Sequence, residues 1–309
     1  MCTDYGRRIG CFLGALLIAT VATAGSDEQG ANQPQMTETP QRIVALNWAA
    51  TEALLLLGVM PVGVAGRDGY PVWVRDPTLP ASVHNVGTRS SPSLEAIAAL
   101  QPDLIVTSAQ LAPAREPLNR IAPTYVFSVY DQQAAPYDRA RELLLTLGRM
   151  LDRQARTAQV LDTLARSLAE NRRRLQKAGL LDKPIALVTF IDARHVRINA
   201  PNGLFQHALD GLGLTNAWSG AGNAWGFSTV GLEALARLTE ARIVVLSPLP
   251  PGLPDTLRHS PFWAHLPAVI QDEIYQIEPV WPYGGVNAVG RLASLLTGAL
   301  LEGGDDIVH

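Results

Sequence analysis

RQARTAQVLDTLARSLAENRRRLQKA, residues 153–178, lies at the middle of this 309-residue chain and decides how the rest is arranged. Leu161, Leu164, Leu168 and Leu175, with Ala158, Ala165 and Ala169 beside them, recur at three- and four-residue steps and predict one narrow buried stripe on a helix. The remaining positions are mostly Arg, Gln, Asp, Glu and Lys, no Gly or Pro interrupts the run, and Gly179 supplies a stop. At 1.5 Å per residue the segment spans roughly 39 Å, about the width of a small domain. The chain on either side alternates short apolar runs with amphipathic ones. The helix is therefore read as a strut between two α/β lobes and not as a coiled-coil arm.

A repeat supports two lobes. Residues 94–106 read LEAIAALQPDLIV and residues 232–244 read LEALARLTEARIV, so one helix-then-strand phrase occurs on each side of the strut, with Glu95 and Glu233 at equivalent places.

Composition allows two domains with real cores: 47% of residues are hydrophobic, 17% are charged and the net charge is −3. No basic stripe suits a nucleic acid, since the run Arg172 to Arg174 falls on the solvated face of the strut. At the N-terminus, Arg7 and Arg8 precede an apolar run, Ile9 to Val21, that is short for a bilayer span and ends in Ala22-Thr23-Ala24. Residues 1–24 are expected to be a cleaved signal peptide. The paired arginines before Phe12 and Leu13 fit twin-arginine export as well as the general route. Both cysteines, Cys2 and Cys11, lie in that segment, so the mature chain is expected to have no disulfide, thiolate metal site or cysteine nucleophile. The polar, Pro-bearing residues 25–40 read as a flexible leader, and 304–309 as a loose tail. Between them the expected division is an N-terminal lobe at 41–152, the linking helix at 153–178 and a C-terminal lobe at 179–303.

Within the first lobe the strands are placed at Arg42–Leu46, Pro61–Ala65, Val83–Val86, Leu104–Thr107 and Tyr125–Phe127. Asn47 is expected to cap a helix through Leu57, and a further helix runs from Tyr137 to Leu151. In the second, strands are placed at Ile185–Ile191, His195–Ile198, Ile243–Leu246 and Glu273–Ile277, with helices at Leu204–Leu212, in the second repeat and at about Val286–Leu301. The stretch TNAWSGAGNAWGFST, residues 215–229, reads as a Gly- and Asn-rich segment between regular elements, and a Pro-rich connection holding Trp263 precedes the Glu273–Ile277 strand.

Catalytic signatures fail one by one. Gly226-Phe227-Ser228-Thr229-Val230 lacks the last glycine of a nucleophile elbow, and Gly211-Leu212-Gly213-Leu214-Thr215-Asn216 lacks the final glycine of a dinucleotide fingerprint. The six histidines lack ligand spacing. What stands out is aromatic residues in loops: Trp73, Trp218, Trp225 and Trp281 sit in Gly/Pro/Asn/Ser-rich connections, several of them after strands. In open α/β sheets ligands sit beyond the carboxyl ends of strands. Each tryptophan taken alone is equally explained as a seal on its lobe, and Trp263, in HSPFWAHLP, is read as a core residue. Two lobes facing each other would make a cleft in which rings supply rigid contact area and an arginine fork donates to acceptor oxygens.

RIVALNWAATEALLLLGVMPVGVA, YPVWV, NVGTRSSPSLEAIAALQPDLIV, RIAP, PNGLFQHALDGLGLTNAW, NAWGFSTVGLEALA and PVWPYGG occur in that order, and with them nearly all of the mature chain resembles the periplasmic ferric-hydroxamate (ferrichrome-type) siderophore-binding proteins of bacterial ABC importers. The resemblance implies an α/β fold of two Rossmann-like lobes joined by one long helix, the class III or helical-backbone type of periplasmic binding protein. It implies that Arg89 hydrogen-bonds hydroxamate oxygens and that Trp73, Trp225, Trp281 and Tyr283 wall the cleft, with Trp218 a further member. One departure is Leu111, in TSAQLAP, where the ferrichrome-binding pattern has a tyrosine that contacts the ligand.

The implied partners are a ferric hydroxamate siderophore and an inner-membrane ABC permease with its ATPase, met by a monomer in the periplasm. No cofactor and no protein ligand to the iron are expected. A ferric trihydroxamate is about neutral, whereas a tris-catecholate carries about three negative charges and would want several cations in a desolvated cleft. The matched positions offer one arginine, to which Arg67 and Arg75 are candidate additions. Glu95 and Glu233 are read as carboxylates that dock on permease arginines, or else as first-turn residues favoured by the helix dipole. Competing readings are a receptor for haem or a corrinoid, with Tyr283 as the haem ligand, and an enzyme acting on a siderophore. The strut should keep lobe closure small.

Overall fold

Strand β1 (Ile43–Ala45) is fully buried, and Asn47 ends it by accepting the Ala50 N–H on its side chain at 2.8 Å, which starts helix α1 (Trp48–Leu56). The computed structural model that shows this describes residues 34, 36, 38–131 and 134–302. The expected signal peptide, most of the leader and the tail lie outside the described residues.

The first lobe continues through β2 (Gly63–Val64), α2 (Tyr70–Trp73), β3 (His84–Asn85), α3 (Leu94–Ala99), β4 (Leu104–Ser108), α4 (Arg115–Asn119), β5 (Thr124–Phe127) and α5 (Pro136–Met150). Its sheet has the order β3-β2-β1-β4-β5 with every pair parallel. Chain direction across the sheet reverses between β1 and β4, and the loops leaving these two strands open a crevice at that point.

Helix α6 (Gln154–Ala178) is 25 residues long and stops at Gly179, whose φ of 72° is the left-handed C-cap that the Gly position predicts. Its buried residues are Thr157, Leu164, Leu168, Asn171 and Leu175. Ala158, Ala165 and Ala169, expected beside the stripe, are exposed instead. They stand one residue, about 100°, round from that row, and the helix packs on one side only. Small residues receive it: a Cβ on Gly148 of α5 would lie 2.1 Å from Thr157 Oγ1, and one on Gly211 would lie 3.1 Å from Leu168 Cδ1.

The second lobe comprises β6 (Ile185–Phe190), β7 (His195–Asn199), α7 (Gln206–Leu212), β8 (Phe227–Gly231), β9 (Arg242–Leu246), three short helices α8 (Leu253–Arg258), α9 (Pro261–Ala264) and α10 (Pro267–Ile270), then β10 (Ile274–Ile277) and α11 (Val286–Glu302). The sheet order is β10-β9-β6-β7-β8, in which β10, β9 and β6 are parallel while β7 runs antiparallel to both β6 and β8. This lobe therefore carries a mixed sheet, not a second copy of the first. The loop expected at 215–229 contains the start of β8, and the Pro-rich connection holds three helices, each with a Pro in its first turn. Trp263 is buried at 3% exposure against Phe190, as read from the sequence.

The repeat also diverges. Its first copy is the α-helix α3, whose N-cap Ser93 accepts the Ala96 N–H at 3.2 Å, whereas the second, Leu232–Arg237, is a 3-10 turn. Gly231 stands where Ser93 does and has no side chain to cap with.

One apolar core joins the lobes. It runs from Ile43 and Leu104 through Leu143, Leu164 and Leu168 to Leu187, Leu209 and Leu292. The last helix, α11, returns to α6: a Cβ on Gly290 would lie 2.9 Å from Leu164 Cδ1. The sequence reads one helix as the connection, and the structure adds a second beside it.

Candidate functional site

The two sheets face each other across a cavity of ≈ 450 Å³ lined by Asn47, Trp48, Ala49, Arg89, Ser108, Gln110, Phe127, Ser128, Val129, Tyr130, Arg197, Trp225, Phe227, Trp281 and Tyr283. Every lining residue of the first lobe lies at or just beyond the carboxyl end of β1, β3, β4 or β5. A second recess of ≈ 420 Å³ shares Trp48, Arg89 and Gln110 and reaches Leu111.

Trp48 follows the Asn47 cap directly. Its indole N–H donates to the Ala65 carbonyl at 3.2 Å and the ring is 4% exposed, so its plane is fixed. Arg89 sits in the turn after β3, which is held by the Ser91 N–H donating to Thr88 Oγ1 at 3.0 Å. Its guanidinium carbon lies 4.0 Å from the Trp48 ring centroid and 4.7 Å from that of Trp281. Both distances suit cation–π contact. Gly66 lets this happen: its φ is +67°, and a Cβ there would lie 3.0 Å from Arg89 Cγ. Burial lowers the Arg89 pKa, with Tyr283 acting the other way, but a guanidinium stays charged through such shifts. Among the described residues it has no hydrogen-bond or ion-pair partner, so its donors face the cavity.

The aromatic wall is continuous. Trp281 stands 4.8 Å from Trp48 and 5.1 Å from Tyr283, and Tyr283 stands 5.7 Å from both Trp225 and Tyr130. These spacings are those of edge-to-face pairs. Burial raises the Tyr283 pKa, opposed by the Arg197 and Arg89 charges. Its phenol thus stays protonated, with both guanidinium charges acting on it. Tyr130, from the loop after β5, accepts the Leu204 N–H and donates to the Pro282 carbonyl, each at 2.9 Å, so one hydroxyl ties the first lobe to two segments of the second.

Of the residues expected at the site, Arg89, Trp225, Trp281 and Tyr283 come together around the cavity. Trp73 does not line it. It packs behind Trp281, ring centroids 6.0 Å apart, and supports that ring. Trp218 turns away, its indole N–H donating to Ser228 Oγ at 3.0 Å while the ring packs on the second lobe's core. The candidate extra cations are spent elsewhere: Arg67 donates to the Ala81 carbonyl and pairs with Asp68, and Arg75 pairs with Glu278 at 3.6 Å. Leu111 is 7% exposed and belongs to a core cluster with Ile105 and Leu118, showing only an edge to the recess beside Arg89.

Sequence reasoning missed Trp48, Tyr130, Phe227 and Arg197. Trp48 and Tyr130 were findable, because each lies a few residues beyond the carboxyl end of a strand. Arg197 was findable from alternation: in HVRIN, Val196 and Ile198 are buried while His195 and Arg197 are exposed. Its guanidinium lies 4.9 Å over the Phe227 ring.

Glu95 and Glu233 are both exposed, one in the first turn of α3 and one in that of the 3-10 turn. Glu95 accepts from the Ser93 hydroxyl at 3.1 Å, and hydrogen bonding, first from its own backbone, lowers its pKa.

A larger interlobe cavity of ≈ 630 Å³ lies on the far side of Tyr130, but it is lined by Asp138 and Asp210, with His207, and among the described residues by no Arg or Lys. Their carboxylates would repel acceptor oxygens. Among the described residues no group of three or more His, Cys, Asp or Glu side chains could hold a metal ion, and no helix is long and apolar enough to cross a membrane.

Two α/β lobes on a long helix, facing across an aromatic cleft, define a class of extracytoplasmic receptor. Residues 43–280 match the family described as periplasmic binding protein, and the chain belongs to that family. The iron(3+)-hydroxamate-binding protein FhuD of Escherichia coli (strain K12) is 34% identical over 261 residues, covering 84% of this chain and 87% of FhuD. The Fe(3+) dicitrate-binding periplasmic protein FecB of the same organism is 27% identical over 290 residues, 92% of each chain. The solved structure of FhuD from Vibrio cholerae bound to Fe3+–Desferal has a TM-score of 0.81 at 29% identity, covering 84% of this chain and 98% of that one.

Proposed function

We propose that this protein is the periplasmic substrate-binding component of an ABC importer. It captures a ferric hydroxamate siderophore in the interlobe cleft and presents it to the inner-membrane permease. The observation that carries this reading is the Arg89 guanidinium, fixed between Trp48 and Trp281 with no protein acceptor among the described residues. Hydroxamate oxygens around ferric iron are planar, electron-rich acceptors that such a fork can grip, and the rings cover the apolar backbone of the chelate. Iron travels as cargo, wrapped by the siderophore. The 34% identity to FhuD of E. coli supports this ligand class.

Tryptophan fluorescence of the mature protein, titrated with a ferric trihydroxamate, a ferric catecholate and haem, tests the reading. Saturable quenching by the hydroxamate, with the ligand mass unchanged afterwards, is expected; response to haem or catecholate alone, or a cleaved or reduced ligand, rejects it.

Glu95 and Glu233 are the proposed docking carboxylates, one exposed on each lobe. Reversing both charges with Lys should stop uptake in cells and leave siderophore affinity unchanged; an equal loss of affinity would remove them from that role. The shared core and the α6–α11 pair oppose wide closure, so scattering curves should contract little when ligand is added. A strong contraction would contradict this.

A further inference from the structure

Strand β7 carries Arg197 to the cleft from the lobe opposite Arg89. The sheet register sets Arg197 beside Thr189 of β6 and Thr229 of β8, so neither strand neighbour offers it an anion. Its guanidinium lies over the Phe227 ring, 4.9 Å away on the same face. Among the described residues it has no hydrogen bond or ion pair, and no carboxylate lines the cavity. Elsewhere in this lobe arginines find acids: Arg242 pairs with Glu273 and Asp182, and Arg291 with Glu278. Tyr283 lines the same cavity, and the charges of both cleft arginines act on its hydroxyl.

Two uncompensated guanidinium groups face a space walled by aromatic rings. A neutral chelate would satisfy Arg89 through hydroxamate oxygens and leave Arg197 partly desolvated without an anion, which is unfavourable. A chelate with a carboxylate beyond its iron-binding oxygens would supply a planar, bidentate partner. A tris-catecholate, with about three negative charges, exceeds what two cations balance.

We infer that Arg197 is a specificity-determining residue that makes this cleft prefer ferric hydroxamates bearing a free carboxylate over neutral ones. The inference rests on the hydroxamate reading of the cleft.

One scaffold tests it with charge as the only variable: the ferric complexes of a linear trihydroxamate whose pendant amine is left as the ammonium, acetylated, or succinylated. Fluorescence titration of the wild-type protein should rank succinylated above acetylated by roughly tenfold, with the ammonium form weakest; this is about one charge-assisted contact. Raising salt from about 0.05 M to about 0.5 M should narrow the ranking. Arg197→Leu should weaken the succinylated complex more than the acetylated one and bring the two within twofold, and Arg197→Lys should keep part of the preference. Equal wild-type affinities for all three complexes, or a parallel loss for all three in Arg197→Leu, would overturn the inference while the hydroxamate reading stands. Absence of binding by any of the three would overturn both. The wild-type ranking requires no variant to fold, and thermal melts check the two variants.

Discussion

The two walls of the cleft are built by different means. The first lobe uses the ends of parallel strands: the Asn47 cap fixes Trp48, the turn after β3 presents Arg89, and the loop after β5 presents Tyr130. The second lobe uses the face of an antiparallel pair, Arg197 on β7 beside Phe227 on β8, together with the loop Trp281–Tyr283. Strand ends give a site whose parts are set by caps and turns. A strand face sets side chains by pleat, where one substitution changes the chemistry and leaves the backbone alone. With the proposed roles of Arg89 and Arg197, the first wall would anchor binding strength and the second would tune ligand preference.

The largest expected effect is on the first wall. Arg89→Ala should weaken a ferric trihydroxamate by on the order of 100-fold in calorimetric titration, as expected for a charge-assisted bond worth about 1.5–3 kcal/mol, with the melting temperature unchanged. An effect no larger than that of Arg197→Leu on the same neutral ligand would erase the contrast between the walls.

Glu52 joins them. It follows Trp48 by one turn of α1, is 1% exposed and accepts the Asn287 N–H at 2.9 Å, at the start of the helix that the Tyr283 loop feeds. Its other oxygen has no partner among the described residues. Burial pushes its pKa up from 4.5 to about 7, against the lowering by backbone N–H groups of Gly285, Asn287 and Ala288. Below pH 4.5 the group is protonated folded or unfolded. Above it the unfolded chain gives up the proton first, so this carboxyl's contribution to stability falls as pH rises to about 7 and then levels off. The total is up to about 3 kcal/mol. Denaturation of wild type and Glu52→Gln across that window should show the difference between them changing in this sense; a constant difference would mean that Glu52 is ionised in the folded protein throughout.

Tyr130→Phe removes the hydroxyl that links Leu204 and Pro282 across the lobes. Urea denaturation should report a loss of about 1–2 kcal/mol, since a buried donor and acceptor lose their partner. No loss would mean that the tie contributes nothing. The smallest effect is expected at Trp218. Trp218→Phe should change siderophore affinity less than twofold, and a tenfold change would put that ring back in the wall.

Much of this was legible because local signals and packing agree. Gly179 stops α6, Asn47 and Ser93 cap their helices, and the apolar runs Ile43–Ala45, Leu104–Val106 and Ile243–Leu246 lie in interior strands buried on both faces. The rest failed for physical reasons. Strand β8 reads Phe-Ser-Thr-Val-Gly after a Gly- and Asn-rich stretch, a weak pattern that its pairing with β7 overrides. Tryptophans in loops mark places where rings are needed without saying for what: Trp281 and Trp225 line the cleft, Trp73 props Trp281, and Trp218 seals a core. Trp48 was hidden because it opens a helix with apolar residues on every face, so nothing in its neighbours distinguishes a wall from a core. Arg197 stood in plain alternation, but its worth depends on the absence of an acid nearby, which only the tertiary arrangement decides.

A crystal structure of the mature protein with a ferric trihydroxamate would decide where the ligand sits. The chelate is expected in the ≈ 450 Å³ cavity, its hydroxamate oxygens within hydrogen-bond distance of the Arg89 guanidinium and its backbone against Trp281, Tyr283 and Trp225. A chelate seated instead in the ≈ 630 Å³ cavity beside Asp138, His207 and Asp210, or one that leaves Arg89 untouched, would contradict this.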